Sequence, residues 1–295
     1  MKLDLMYRLL GAALLGLPAL TNAQPTAHYA PGIEGIKGAT LPPPGIYLRD
    51  YNLFYYADTL NDIDGHAVPG VNARAFIYAN VPRIVWITNQ KLFGGYLGVD
   101  ALLPLQYTEL KLNSFHDQTF GIGDFFAEGT WSTHLKQFDV SAGYGIWAPT
   151  GDFSPANPTR AGLGYWTHML TAGATWYIDK DKKWALSALN RYEINQQQDD
   201  TDITHGQAYT LEWALSRSVL KTIDVGVVGY YQQQVTEDYG RGSNSQRDRV
   251  AGIGPEISAF CPKLGLNTSL RYEYEFLAEG RLQGHTIALT LTKVF

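Results

Sequence analysis

From Ile46 to the C-terminal Phe295 the chain alternates apolar and polar residues with a period of two, and the alternation breaks at intervals into separate runs. The runs predict strands near 46–57, 72–87, 92–106, 119–132, 138–148, 164–178, 184–195, 207–217, 222–235, 248–260, 265–277 and 284–295. Each is long enough for the roughly 9–11 residues with which a tilted strand crosses a bilayer. The breaks come in two sizes that take turns. Long ones fall at 58–71, 107–118, 149–163, 196–206, 236–247 and 278–283, and short ones near 88–91, 133–137, 179–183, 218–221 and 261–264. A soluble sandwich has no reason to keep this alternation over the whole chain, whereas a membrane barrel has tight turns at one mouth and longer loops at the other. The expected fold is therefore all-β: a transmembrane antiparallel up-and-down β-barrel of twelve strands, with ten or fourteen as alternatives.

The last run shows why the sheet should close. In residues 284–295, Ile287, Leu289, Leu291 and Phe295 share one face and Thr286, Ala288, Thr290 and Thr292 the other. A terminal strand with an open edge needs a partner, and the natural partner is the first strand. The terminal Phe after alternating apolar residues resembles the C-terminal signal of Gram-negative outer-membrane barrels.

Composition agrees with this reading. Only 17% of residues are charged, while Tyr (19), Phe (12), Trp (7) and Gly (30) are abundant, as in strands with interfacial aromatic girdles. Net charge is -5, which argues against a nucleic-acid partner. Mean hydropathy is slightly negative, and past the N-terminus no run approaches the length of an apolar spanning helix. Lys2 and Arg8 precede an apolar segment from Leu9 to Leu20, then Thr21, Asn22 and Ala23, the layout of a secretory signal peptide over 1–23. Residues 24–45, with consecutive prolines at 42–44, form a Pro/Gly-rich lead-in at the periplasmic mouth or in the lumen, and 46–295 the barrel. The lone Cys261 has no internal disulfide partner.

Parity assigns the faces. Arg on the lipid side at the bilayer midplane costs about 2–4 kcal/mol, so the charged face of each strand is the lumen. Arg271, Glu273 and Glu275 thus oppose Leu270, Tyr272, Tyr274 and Phe276. By the same rule Asp100, Glu128, Arg191, Glu193, Glu212, Asp224, Gln232, Gln234 and Glu256 point inward. Arg74 and Tyr78, with Asn80, are expected to join them from the second strand, with a bulge at Pro82 and Arg83. These residues either neutralise one another across strands or line a solute path, with Tyr78, Tyr96, Tyr165 and Tyr230 as stacking surfaces.

No enzymatic motif emerges, and no catalytic, cofactor-binding or metal residue is assigned. Glu273 and Glu275 lie about 7 Å apart by strand geometry, as paired carboxylates do, but such pairs arise by chance in a charged lumen. The histidines are scattered without metal-ligand spacing, and Ser243 and Ser245 have no neighbouring histidine or nucleophile elbow. Gly121-Ile-Gly-Asp124 and Gly252-Ile-Gly-Pro-Glu256 do not open a helix as a phosphate cradle would.

Several segments, in order, carry a resemblance. They are Tyr29-Ala-Pro-Gly32, Pro43-Pro-Gly-Ile-Tyr47, Gly121-Ile-Gly-Asp124, Ala148-Pro-Thr-Gly-Asp-Phe153 and Tyr165-Trp-Thr167. They continue with Gly229-Tyr-Tyr-Gln-Gln-Gln234, Thr236-Glu-Asp-Tyr-Gly240, Gly252-Ile-Gly-Pro-Glu256, Arg271-Tyr-Glu-Tyr-Glu-Phe276, Ala278-Glu-Gly-Arg281 and Gly284. Together they resemble the family described as "Putative MetA-pathway of phenol degradation", also called SphA-like; Gly164 departs from its basic or aromatic residue before Tyr165. The resemblance implies an outer-membrane barrel near catabolic genes for aromatic or other hydrophobic compounds, and no catalytic residues. The expected function is a monomeric outer-membrane channel for passive uptake of small hydrophobic or aromatic solutes in a Gram-negative cell. Its expected partners are the solute, outer-membrane lipid and the secretion and barrel-assembly machinery. The alternatives are a structural or adhesion barrel whose lumen is plugged, and a barrel lipid hydrolase.

Overall fold

A computed structural model describes residues 27–295; the expected leader, residues 1–23, lies outside them. The alternating runs fold into β1 (Gly45–Leu60), β2 (Ala73–Leu92), β3 (Gly95–Leu102), β4 (Leu105–Leu112), β5 (Phe115–Ile122), β6 (Phe125–His134), β7 (Phe138–Ala148) and β8 (Thr167–Tyr177). They continue with β9 (Trp184–Asn195), β10 (Ile203–Thr204), β11 (Ala208–Leu220), β12 (Ile223–Gln234), β13 (Tyr239–Gly240), β14 (Arg249–Cys261), β15 (Leu266–Glu279) and β16 (Leu282–Val294). All named pairings are antiparallel, and β1 pairs with both β2 and β16. That double pairing, Tyr51 facing Val81 on one side and Thr290 on the other, removes the free edges and closes the barrel.

The wall has twelve passes. β3 and β4 make one pass, broken at Leu103 and Pro104, since both pair with the same edge of β2. β5 and β6 make the next, broken at Gly123 and Asp124. The Gly123 N–H donates to the Pro104 carbonyl at 2.8 Å and keeps the two breaks level. β10 and β13 form a separate ribbon between loops.

Two expectations about the elements change. The break expected at 107–118 is the β4–β5 hairpin, turning at Asn113 with φ 54°. Its inward Thr108, Leu110 and Leu112 alternate with outward Tyr107, Glu109 and Lys111. The outward charges read as loop, yet they carry no lipid penalty in a hairpin that ends at a mouth. The bulge expected at Pro82 and Arg83 is absent, for β2 and β1 pair in unbroken register from Gly45 facing Ile87 to Ala57 facing Ala75. The interruption sits in the neighbouring pass instead, where Leu103 reaches the Pro82 carbonyl.

The barrel is apolar outside and polar inside. Ile84, Trp86, Leu170, Leu186, Ile257, Leu270 and Phe276 stand exposed on the outer face, whereas Glu193, Glu212, Arg271, Glu273 and Glu275 are buried in the lumen. No helix among the described residues is long and apolar enough to cross a membrane.

Candidate functional site

The lumen is occupied by the lead-in. Residues 27–44 have irregular backbone, so their N–H and C=O groups need partners from the wall. The wall carboxylates supply them. Glu193 accepts the N–H groups of His28 (3.0 Å) and Tyr29 (3.2 Å), Glu212 that of Glu34 (2.9 Å) and Glu256 that of Ile36 (2.9 Å). Gln232 donates to the Tyr29 carbonyl and Arg271 to that of Ile33, each at 2.9 Å. Lys37 pairs with Asp224 at 2.7 Å, and Ser141 donates to the Ala39 carbonyl at 2.8 Å.

Glu34 is the centre of the clamp. It meets Arg49 at 2.9 Å and Arg83 at 3.3 Å and accepts the Tyr51 hydroxyl at 2.7 Å. Burial alone pushes its carboxyl up, but the Arg49, Arg83 and Arg191 guanidiniums outweigh burial and hold it below the ordinary carboxylate range. Arg191 lies 4.0 Å from the Tyr29 ring centre and bonds Glu212 at 3.0 Å. Two glycines permit this fit. A Cβ on Gly35 would stand 1.7 Å from a Glu256 oxygen, and Gly32, at φ +80°, passes so close to Glu273 that a Cβ would lie 2.5 Å from its carboxylate.

At the start of the plug His28 is sandwiched between Trp147 and Tyr165, with ring centres 5.3 and 4.7 Å away. Its ring bonds Asp124 at 3.0 Å and Thr167 at 2.9 Å. Burial lowers its pKa, against the pull of Asp124. Asp124 also accepts the N–H groups of Gly151 and Leu163, tying the plug to the 149–163 loop across the β5–β6 break.

The expected lumen residues sort into three sets. Glu193, Glu212, Asp224, Gln232, Glu256 and Arg271 hold the plug directly. Asp100 and Glu128 hold it through Arg83, at 2.8 and 3.2 Å, while Glu275 accepts the hydroxyls of Tyr55 and Tyr230 at 2.9 and 3.0 Å. Arg191 stacks on Tyr29, Glu273 lies 3.4 Å from Arg271, and Gln234 bonds Thr236 and Asp238 near the loops. Arg74 and Tyr78 do not join them. With no bulge at Pro82 and Arg83, the odd positions of β2 face inward, so Arg83 is buried while Arg74 stands exposed and the Tyr78 hydroxyl bonds Asn52 on the outer wall. Sequence reasoning thus missed Arg83, and with it Arg49, Tyr51 and Asp124. The signal for Arg49 was its parity with Tyr47, Tyr51 and Tyr55, whereas Asp124 lies at a strand break where parity is silent.

The opposite side of the lumen is apolar. Leu53, Ala75, Ile77, Ala79, Leu110 and Leu282 line a cavity of about 260 Å³ at the mouth with the long loops. A cavity of about 90 Å³, between Tyr29, Val81, Leu102, Phe126, Trp147 and Met169, continues it past the plug. A third, of about 430 Å³, lies beside Leu41, Pro42, Tyr47 and Val85 toward the other mouth. The two cavities nearer the long loops border mainly apolar side chains, whereas the third also borders Glu34, Arg49, Arg83, Glu128 and Arg191 of the clamp.

Known proteins share this architecture. The profile of the family described as "Putative MetA-pathway of phenol degradation" matches residues 57–291. Among solved structures, the COG4313 outer membrane channel from Pseudomonas putida F1 superposes with a TM-score of 0.79 at 16% identity, covering 91% of this chain and 100% of that one. The translocator domain of the autotransporter NalP from Neisseria meningitidis gives 0.53 at 12% identity over 88% and 92%. The beta domain of the Bordetella autotransporter BrkA gives 0.52 at 11% over 85% and 99%. These likenesses show an outer-membrane barrel fold. No curated protein matches the chain.

Proposed function

This chain belongs to the family described as "Putative MetA-pathway of phenol degradation", and we propose that it is an outer-membrane channel for passive uptake of small hydrophobic or aromatic compounds. The observation that carries the reading is the pair of adjoining cavities that share Leu53 and Ala79, the larger of them under the long loops. An apolar cavity of about 150 Å³ already takes benzene, so the cavity of about 260 Å³ under the long loops has room for a small aromatic solute. A solute held along Leu53, Ala79 and Val81 gives up water against apolar side chains. The Pseudomonas putida neighbour, itself described as a channel, supports the same class.

The test is uptake of radiolabelled phenol, toluene and a long-chain fatty acid by cells with and without the gene, in a background lacking other porins. The expected result is a deficit for one solute class that wild type restores and Ala79→Phe does not, since Ala79 borders both the outer and the middle cavity. Equal uptake of all three would overturn the reading. A second reading rests on the plug itself: a structural barrel closed by residues 27–44. Planar-bilayer conductance that is absent in wild type and appears only after deletion of 27–44, with uptake of all three solutes unaffected by the gene, would favour it.

A further inference from the structure

Two side chains at the outer cavity have a buried polar atom without a partner among the described residues, and both atoms are donors. Leu53, Ile77, Ala79 and Leu110 line this cavity from β1, β2 and β4, and Arg160 from the loop between β7 and β8. The inward guanidiniums of the barrel have carboxylates: Arg49 and Arg83 meet Glu34, Arg191 meets Glu212, Arg271 meets Glu256 and Arg281 meets Asp248. Arg160 forms no ion pair among the described residues. Its Nη1 donates to the Asn157 carbonyl at 3.2 Å and its guanidinium lies 5.3 Å from the Phe153 ring centre, but Nε is buried without an acceptor. Burial lowers its pKa, against a pull from Tyr165. The second orphan is the indole N–H of Trp147, a residue only 6% exposed that borders both the outer and the middle cavity.

The acids at the outer cavity are already engaged. Asp124 accepts the Gly151 N–H at 2.9 Å on one oxygen; the other accepts the Leu163 N–H at 2.7 Å and bonds the His28 ring at 3.0 Å. Those two backbone bonds pin both ends of the segment that carries Arg160. Glu275 accepts the Tyr230 hydroxyl at 3.0 Å on one oxygen, and the Tyr55 hydroxyl at 2.9 Å and the Gly284 N–H at 2.7 Å on the other. What the cavity lacks is an acceptor. An unmet buried donor costs free energy, more so when charged, and a solute that supplies the acceptor recovers it. A planar guanidinium favours a carboxylate over a neutral oxygen, because the bond is charge-assisted and can be made twice. The apolar residues of the same cavity favour a ring that gives up water to them.

On the reading of this barrel as a channel for small aromatic compounds, we propose that the outer cavity is a binding site for a monocyclic aromatic carboxylate. Its ring lies on Leu53, Ile77 and Ala79 and its carboxylate on Arg160, and Trp147 is the next donor where the outer cavity meets the middle one. The favoured solute is thus an aromatic acid, ahead of an alcohol or a hydrocarbon with the same ring.

The test is isothermal titration of the refolded protein in detergent with benzoate, benzyl alcohol and toluene, read beside uptake of the same three radiolabelled compounds by porin-deficient cells that carry the gene. Wild type is expected to bind benzoate about tenfold more tightly than benzyl alcohol, the gain that a hydrogen bond to a charged group supplies. Arg160→Gln should bring the two affinities together, and Arg160→Lys, which keeps the charge and loses the planar fork, should retain part of the preference. Arg217→Gln, exposed on the outer wall beside Trp184, should retain all of it. The folded, heat-modifiable band on a gel establishes that each variant is a barrel. Benzyl alcohol bound as tightly as benzoate by wild type, or a benzoate preference that survives Arg160→Gln, would overturn the proposal and leave the channel reading standing. Neither binding nor gene-dependent uptake of any of the three compounds would overturn both.

Discussion

Arg83 shows how one side chain organises the lumen. It reaches Glu34 on the plug and Asp100 and Glu128 on the wall, three carboxylates around one buried guanidinium. Replacing it with Met takes the guanidinium from Asp100 and Glu128 and leaves Glu34 with Arg49, and loss of one partner from a buried ion network costs about 3–5 kcal/mol. Urea unfolding in detergent should show that loss for Arg83→Met and very little for Arg74→Met, whose side chain stands exposed on the outer wall. His28 sets the pH response of the plug. Its pKa in place is below the ordinary value because it is buried, although Asp124 pulls the other way, with His205 and Glu193 also nearby. A released plug takes up a proton at about pH 6.5. The stabilising effect of neutral His28 is therefore complete above that pH and declines as pH falls from there toward the lowered folded value. Glu34 acts lower down: its pKa is depressed in place, so its contribution is full above about 4.3 and is lost as pH falls further. Planar-bilayer conductance should rise on acidification from pH 7 to 5, and His28→Gln should remove that rise.

Between Ala27 and Pro44 the chain has no regular structure, yet its backbone is bonded by the wall at many points. It is a plug because barrel strands present carboxylates to its N–H groups, and Gly32 and Gly35 let it lie against them. Deleting 27–44 opens the lumen and also strips Arg49, Glu212 and Asp224 of partners. The expected outcome is a larger single-channel conductance together with a lower melting temperature, both measurable on the same refolded protein. A smaller step follows from Gly35→Val, whose side chain collides with Glu256 and Arg271. It should raise conductance with the barrel still folded. If conductance is unchanged in both variants, the plug does not limit passage.

In cross-section the molecule divides labour between its walls. Strands β9 to β15 carry most of the acids that hold the plug, while β1, β2 and β4 present Leu53, Ala75, Ile77, Ala79 and Leu110 to the outer cavity and Arg49 and Arg83 to Glu34. Closure between β1 and β16 sets that arrangement, since it brings Tyr51 and Arg49 of the first strand beside the last.

Period-two alternation by itself determined the inward parity of Glu193, Glu212, Arg271, Glu273 and Glu275, because side-chain direction in a strand depends only on local geometry, while the count of twelve strands, with ten and fourteen open beside it, rested on the spacing of the breaks. Arg74 and Tyr78 went to the wrong face because the even positions of β2 carried Arg74, Tyr78 and Asn80, and one-residue parity flips a whole strand. Only the pairing of β2 with β1 decided between the two. The sequence likewise marked residues 24–45 as irregular, but not where they go. That depends on carboxylates and guanidiniums that arrive from strands up to 238 positions away, as with Arg271 and the Ile33 carbonyl. Contacts of such separation leave no local pattern in the chain, and they exist once the barrel has closed around them.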